Sequence, residues 1–244
     1  MDAGVDHIDT AQYYGPGVVN QLIREALFPY PDELVLVSKV AARRDGFGAV
    51  LPYDDPDQLR AGIEENLATL GIEQLAAVNL RVMDNAVPDE RFVDQLGAVV
   101  DARNDGLIAG IGISNVTHRH LLRALEVTDI VCVQNAYNLA DRSSAAVLKE
   151  CAARGIAFVP FCPLGWPKKQ HDAIRTNPVV AAIAVSHGAT PAQVAPAWLL
   201  AIADNVLLIP GTSSRGHLAE NLGAVSLSLR DDEVASLSAA FSEP

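Results

Sequence analysis

His7-Ile8-Asp9-Thr10-Ala11-Gln12-Tyr13-Tyr14-Gly15 is the stretch around which the chain is organised. It begins as a strand and ends as a loop. His7 and Asp9 are two apart, so on a strand they share one face and Ile8 takes the other. Tyr14 follows in the loop, just before a Gly15-Pro16-Gly17 turn. A carboxylate at a strand end and a phenol just beyond it can converge on one pocket. Taken alone the pair means little. The layout recurs along the chain, and the recurrence gives it weight.

Seven short apolar runs punctuate the sequence: Asp6–Thr10, Leu34–Val40, Leu75–Val82, Ile108–Ser114, Ile130–Gln134, Ile156–Phe161 and Val206–Pro210. They are rich in Val, Ile and Leu and nearly continuous, as in strands covered on both faces. Helical stretches separate them. The clearest runs from Asp55, a good N-cap, through Pro56 at the first helical position to Leu70, and Gly71 stops it. Leu59, Ile63, Leu67 and Leu70 make its apolar stripe. Further helices are expected over 90–103, 118–126, 143–154, 190–203 and 217–224, with a last one over 231–241. Pro196, inside the 190–203 helix, should bend it. Alternating strand and helix predicts a parallel α/β fold. A dinucleotide-binding open sheet would begin with G-x-G-x-x-G after its first strand. None is present, which favours a (β/α)-barrel.

Polar residues close almost every run. Asp9 ends the first, Lys39 the second and Arg81 the third. Ser114 with Asn115 ends the fourth, Gln134 with Asn135 the fifth and Phe161 with Cys162 the sixth. Gly211-Thr212-Ser213-Ser214 follows the seventh. In a barrel these ends share one rim, where active sites sit. A solvated strand end is the bland reading of each; so many in register argue for a site. Asp9, Tyr14 and Lys39 form a chemical unit. A phenol with a pKa of about 10 is a poor acid at neutral pH. A neighbouring ammonium, held by a carboxylate, makes it a better one. Such a Tyr can protonate a carbonyl oxygen as hydride reaches the carbon. Lys39 has two other readings: a structural ion pair, or a Schiff-base lysine, which the nearby Asp9 opposes.

Composition bounds the rest. The chain has 244 residues, 50% hydrophobic and 20% charged, enough for one large globular domain. A net charge of −12 disfavours nucleic acid as a partner. Cys132, Cys151 and Cys162 show neither a disulfide framework nor metal-ligand spacing, which points to a reducing cytoplasm and no metal site. Neither a signal peptide nor a transmembrane run is legible.

The chain resembles the aldo-keto reductases over essentially its whole length. The resemblance is carried by H-I-D-T-A-x-x-Y at 7–14, Leu36-Val37-Ser38-Lys39, Gly112-Ile113-Ser114-Asn115, Val133-Gln134-Asn135, Pro163-Leu164-Gly165, and Ile209 to Ser214 followed by Glu220-Asn221. It implies a (β/α)8 TIM barrel and metal-free reduction of a small aldehyde or ketone with NADPH, NADH being possible. Carried over residue by residue, Tyr14 is the general acid, and Asp9 and Lys39 tune it. Ser114, Asn115 and Gln134 hold the nicotinamide carboxamide and Phe161 stacks on its ring. Pro163 and Leu164 line the cofactor. Gly211, Thr212, Ser213, Ser214 and Arg215 meet its phosphates at a helix N-terminus, and Glu220 and Asn221 its adenine. A monomer or weak homo-oligomer is expected.

Two departures stand out. Arg81 falls where the family usually has His; it cannot act as a neutral imidazole but can donate hydrogen bonds, and it suits a charged substrate. The chain also begins near the family's second strand, so a barrel lacking its first βα unit is expected, with about seven strands over one domain, 1–244, and a gap between the Asp6–Thr10 and Val206–Pro210 strands. These departures sustain a rival reading, a nucleotide-binding redox sensor or auxiliary protein with little turnover. A Schiff-base lyase on the same rim is a third. The loops 41–54 and 166–177 are expected to shape the substrate pocket, with Phe47, Tyr53, Met83 and Trp166 as lining residues.

Overall fold

The computed structural model describes residues 3–83 and 87–241. The chain groups into two compact units, Met1–Gln134 and Asn135–Pro244. The first is built on parallel strands alternating with helices: β1 (His7–Asp9), α1 (Val18–Leu27), β2 (Val35–Arg44), β3 (Val50–Tyr53), α2 (Pro56–Leu70), β4 (Leu75–Arg81), α3 (Glu90–Asn104), β5 (Ile108–Ser114), α4 (His118–Val127) and β6 (Cys132–Ala136), which crosses into the second unit. The strands pair in the order β1-β2-β4-β5-β6. Asp9 lies opposite Val37, Lys39 opposite Asn79, Arg81 opposite Ser114, and Ser114 opposite Gln134. Residues in register on parallel neighbours face the same way. Lys39, Asn79, Gly112 and Cys132 therefore form one row of side-chain positions on one face. Arg81, Ser114 and Gln134 form the next.

The middle of this face is tightly packed. A Cβ on Gly112 would meet Asn79 Oδ1 at 2.3 Å and Cys132 Sγ at 2.6 Å, so only glycine fits. Helix α2 follows the sequence reading. Leu59, Ile63, Leu67 and Leu70 are all buried, and Gly71 takes the left-handed conformation, φ 72°, that ends the helix. The Gln58 side chain accepts the Asp55 backbone N–H at 3.3 Å.

The second unit carries α5 (Ala145–Arg154), β7 (Ala157–Phe161), α6 (Lys168–Thr176), α7 (Pro178–Ser186), α8 (Pro191–Ile202), α9 (Arg215–Gly223) and α10 (Asp231–Ala239). Helix α8 is assigned without a break through buried Pro196. Its core centres on Trp198, stacked on Tyr137 at 6.1 Å, with Phe158 edge-on to Tyr137 at 5.8 Å.

Four expectations need correction. Val206–Pro210 is not a strand: a single bridge joins Val206 to Phe158, and Pro210 has no N–H with which to extend a ladder. Helix α1 was not foreseen, because it starts at Gly17 (φ 76°) without a side-chain cap and buries only a polar residue, Asn20. The 41–54 segment is no loop. It holds the end of β2 folded antiparallel onto β3, with Phe47 fully exposed at the tip. The 166–177 segment holds α6, and Trp166 beside it is exposed.

Candidate active site

In the first unit the end of β1 is held from below by a buried polar cluster. The Thr10 hydroxyl donates to Asn20 Oδ1 at 2.7 Å, and Asn20 Nδ2 donates to Asn66 Oδ1 at 3.0 Å. The Ser38 hydroxyl also reaches Asn66 Oδ1, at 2.6 Å, and Asn66 Nδ2 donates to Gln12 Oε1 at 3.2 Å. Three elements thus grip the Thr10–Gln12 turn through a connected set of buried hydrogen bonds. Thr10, Gln12 and Ser38 stand in the motifs of the sequence reading, but Asn20 and Asn66, which tie them together, do not. The partners are scattered over α1, β2 and α2, and only the fold brings them together.

Above that cluster, Asp9 and Lys39 form a buried ion pair, their side chains 6% and 3% exposed. Lys39 Nζ also donates to the Thr10 carbonyl at 3.2 Å, and Gln134 Nε2 donates to the other Asp9 oxygen at 2.8 Å. Burial alone would pull the Lys39 ammonium down. The Asp9 carboxylate and the neighbouring Tyr14 and Tyr13 outweigh it, and its pKa stands above the usual lysine value. Lys39 Nζ lies 5.0 Å from the centre of the Tyr14 ring. Tyr14 is partly exposed and meets Tyr13 edge-on at 5.2 Å. Asp9, Tyr14 and Lys39 are therefore together. The raised Lys39 works against Schiff-base chemistry, which needs a free amine at neutral pH.

The next row holds Arg81, Ser114 and Gln134. Ser114 Oγ is buried and has no hydrogen-bond partner, nor has Arg81 Nε. Gln134 has committed its amide nitrogen to Asp9. Asn115 takes the left-handed conformation, φ 59°, which asparagine tolerates better than most residues, and its Nδ2 donates to the Val82 carbonyl at 2.7 Å. An unpartnered hydroxyl between two oriented amides suits a group that both donates and accepts, such as a carboxamide. Beneath this row, burial and the Asp9 charge push the Cys132 thiol up to about 12, so it is inert as a nucleophile. Met83 packs with Tyr14 on Tyr13, Ala11 and Ala42. Tyr53 takes Arg43 against its ring at 5.6 Å.

In the second unit, Phe161 is half-buried at the end of β7 and Pro163 is buried just beyond. A cavity of about 420 Å³ opens nearby in the chain, and Leu164, Gly211, Thr212, Glu220 and Asn221 line it, as do His171, Arg175 and His217. Helix α9 starts at its N-cap Ser214, whose hydroxyl accepts the His217 N–H at 3.3 Å, while Thr212 Oγ1 accepts the Ser214 N–H at 3.1 Å. Arg215 and Ser213 are exposed at this helix start. Glu220 is fixed by a short hydrogen bond from the Thr190 hydroxyl. A guanidinium, two imidazoles, hydroxyls and a helix N-terminus around one cavity suit a phosphorylated ligand. His171 and Arg175 lie on α6, a helix the sequence does not announce because it has no side-chain cap and buries only Ile174. Among the described residues no cluster of His, Cys, Asp and Glu could hold a metal ion, and no helix is long and apolar enough to cross a membrane.

Comparison with known proteins places this geometry. A family model described as the aldo/keto reductase family matches residues 1–241. The chain is 44% identical over 237 residues to a pyridoxine 4-dehydrogenase of Escherichia coli, a match covering 96% of this chain and 81% of that protein. It is 32% identical over 236 residues to an uncharacterized oxidoreductase of Schizosaccharomyces pombe, covering 97% and 74%. Among solved structures it superposes on a thermostable aldo-keto reductase bound to the inhibitor epalrestat with a TM-score of 0.82 at 31% identity, covering 98% of this chain and 83% of that one. A Klebsiella pneumoniae aldo/keto reductase solved with NADP and acetate gives 0.82 at 25% identity, covering 100% and 82%.

Proposed function

The chain belongs to the aldo/keto reductase family, and from that premise we propose that it reduces an aldehyde or ketone to an alcohol with NADPH, the whole of 1–244 serving as one reductase domain. The observation that carries the reading is the buried Lys39–Asp9 pair set against Tyr14. Tyr14 holds a proton at its hydroxyl oxygen and delivers it to the carbonyl oxygen. Lys39, kept charged by Asp9, favours the phenolate that this leaves. Gln134 and the Thr10 carbonyl fix the pair, so little reorganisation accompanies the transfer.

The residues present suit the cofactor. Ser114, Asn115 and Gln134 would hold the nicotinamide carboxamide, and Phe161 would cover its ring. Pro163, Leu164, Gly211, Thr212, Ser213, Ser214 and Arg215 would follow the diphosphate, with Glu220 and Asn221 at the adenine and Arg175 near the 2′-phosphate. NADPH bound there supplies a hydride to the carbonyl carbon. Against a net charge of −12, Arg175 in the cavity lining and Arg215 at the start of α9 provide the local positive field that a polyanionic ligand needs.

The 44% identity to a pyridoxine 4-dehydrogenase makes pyridoxal the first aldehyde to try, since its reduction reverses the oxidation that name describes. The test is NADPH oxidation at 340 nm with pyridoxal and a panel of aromatic and aliphatic carbonyl compounds. Carbonyl-dependent turnover supports the reading. Tight NADPH binding with no turnover on any member would favour the sensor reading instead.

A further inference from the structure

The reductase reading leaves two buried groups unused, the Tyr13 hydroxyl and Arg81 Nε. Tyr13 is only 4% exposed; no group meets its hydroxyl in good hydrogen-bond geometry, and Arg81, close enough to act on it as a side-chain donor, leaves the hydroxyl proton without an acceptor. Arg81 Nε is buried and unpartnered. The two are neighbours. Burial drives the Tyr13 phenol upward and Tyr14 adds to this, while Lys39 and Arg81 pull the other way and do not win. Tyr13 therefore stays a protonated donor. Asn79, two residues before Arg81 on the same face, contributes a third buried unpartnered donor, its Nδ2. Buried donors are nearly always satisfied, and a concentration of orphans beside a site marks the place of a ligand acceptor.

Resting on the reductase reading, we propose that Arg81 and Tyr13 form an anion-reading subsite, and that the preferred substrates carry an anionic oxygen next to the carbonyl. The Tyr13 ring meets that of Tyr14 edge-on at 5.2 Å, which sets the proposed subsite beside the group that protonates the carbonyl oxygen. Arginine is always charged and presents its donors in a fixed fork, so it suits a carboxylate or a phenolate better than a neutral carbonyl. Arg81 here is a substrate-binding group and does not act as the acid.

Two substrate pairs test this and separate the two sources of the anion. One is phenylglyoxylate against its methyl ester; the other, assayed above the pKa of the salicylaldehyde phenol so that it is ionised, is salicylaldehyde against benzaldehyde. With NADPH saturating, the unaltered protein should prefer the anionic member of at least one pair in kcat/KM. In Arg81→Gln that preference should fall at least about tenfold, the size expected when one partner of a desolvated charge contact is removed. Arg81→Lys should keep part of it, and Tyr13→Phe should lose several-fold. A drop in the first ratio identifies a carboxylate reader, and a drop in the second a phenolate reader. Ratios unchanged by Arg81→Gln would overturn the subsite while leaving the reductase intact. Calorimetry of the unaltered protein saturated with NADP+ needs no turnover and no variant. Mandelate should bind at least about tenfold more tightly than methyl mandelate, with the gap narrowing in high salt. Equal affinities for mandelate and its ester, and no preference for salicylaldehyde, would also overturn it.

Discussion

At the scale of single residues, the active site divides between groups that hold and one group that acts. Asp9, Lys39 and Gln134 are each committed to hydrogen bonds within the protein, whereas the Tyr14 hydroxyl sits on a half-exposed ring. Tyr14→Phe should therefore lower kcat by about 10²–10⁴ or more, the range of a lost general acid, with NADPH affinity retained. Stopped-flow turnover and fluorescence titration of NADPH measure the two separately, and turnover within tenfold of the parent would remove Tyr14 from the role. In the second unit, Arg175 lines the cavity that Glu220 and Asn221 also line. Arg175→Ala should weaken NADPH roughly tenfold, about 1.4 kcal/mol, and NADH much less. Equal losses for both nucleotides would show that Arg175 does not read the 2′-phosphate. These residues also mark the limit of sequence reading. Asp9, Tyr14 and Lys39 are legible because each belongs to a patterned motif: Asp9 closes the first apolar run, Tyr14 follows in the loop, and Lys39 lies near the end of the second run. Tyr13 was passed over as the residue beside the motif tyrosine. Its burial against Ala11 and Ala42, and its nearness to Arg81, depend on how the loop after β1 folds back over the strand ends.

Among the elements, those with strong caps and stripes were read closely and those without were missed. Helix α2 has Asp55, Pro56 and Gly71 as punctuation and four leucine or isoleucine positions on one face, and its observed bounds match. Helix α6 has neither cap nor apolar stripe, since only Ile174 is buried along it, and it read as a loop. The β2–β3 hairpin escaped because its burial alternates over just four residues on β3. Helix α4 carries a pH-dependent cap. His120 is 2% exposed, and its Nδ1 accepts the Thr117 hydroxyl at 2.8 Å and the Thr117 N–H at 3.4 Å. That geometry requires a neutral ring, and burial holds the His120 pKa below the ordinary 6.5, against the pull of Asp89. The unfolded chain then takes up this proton before the folded one. Stability should be at its full value above about pH 6.5 and fall as the pH drops through that value. Melting temperature measured from pH 7.5 to 5 should decline less steeply in His120→Gln than in the unaltered protein. Parallel slopes would mean that the cap does not titrate in this window.

For the whole molecule, the family assignment rests on the alternation of strand and helix and on motif order, both readable from the chain. The part misjudged at this scale was the identity of one strand, not the number of strands. Seven apolar runs were expected as seven strands, and seven strands are present among the described residues, but Val206–Pro210 is not one of them and β3 is. An apolar run ending in proline can pack like a strand without forming a ladder. Ligand binding offers a global check on the cofactor assignment. A nucleotide bound only by the folded state should raise the melting temperature, and NADPH at about 100 times its Kd should add about 2.7 kcal/mol. Equal shifts with NADPH and NADH at equal concentration would argue against a preference for the phosphorylated form.

The packing around Gly112 has a practical corollary. Cys132 is sealed beneath the active-site row with its thiol pushed up to about 12, and Cys151 is wholly buried in α5. Only Cys162 is partly exposed, one residue past Phe161 at a left-handed turn of φ 55°. The chain thus comes with a natural single labelling handle. Mild alkylation should attach one fluorophore or spin probe without any engineered cysteine removal, and attach it beside the ring proposed to cover the nicotinamide. Slow modification is expected, since burial raises the Cys162 pKa as well. A bound nucleotide would slow it further, so the rate of labelling becomes an occupancy gauge that requires no substrate.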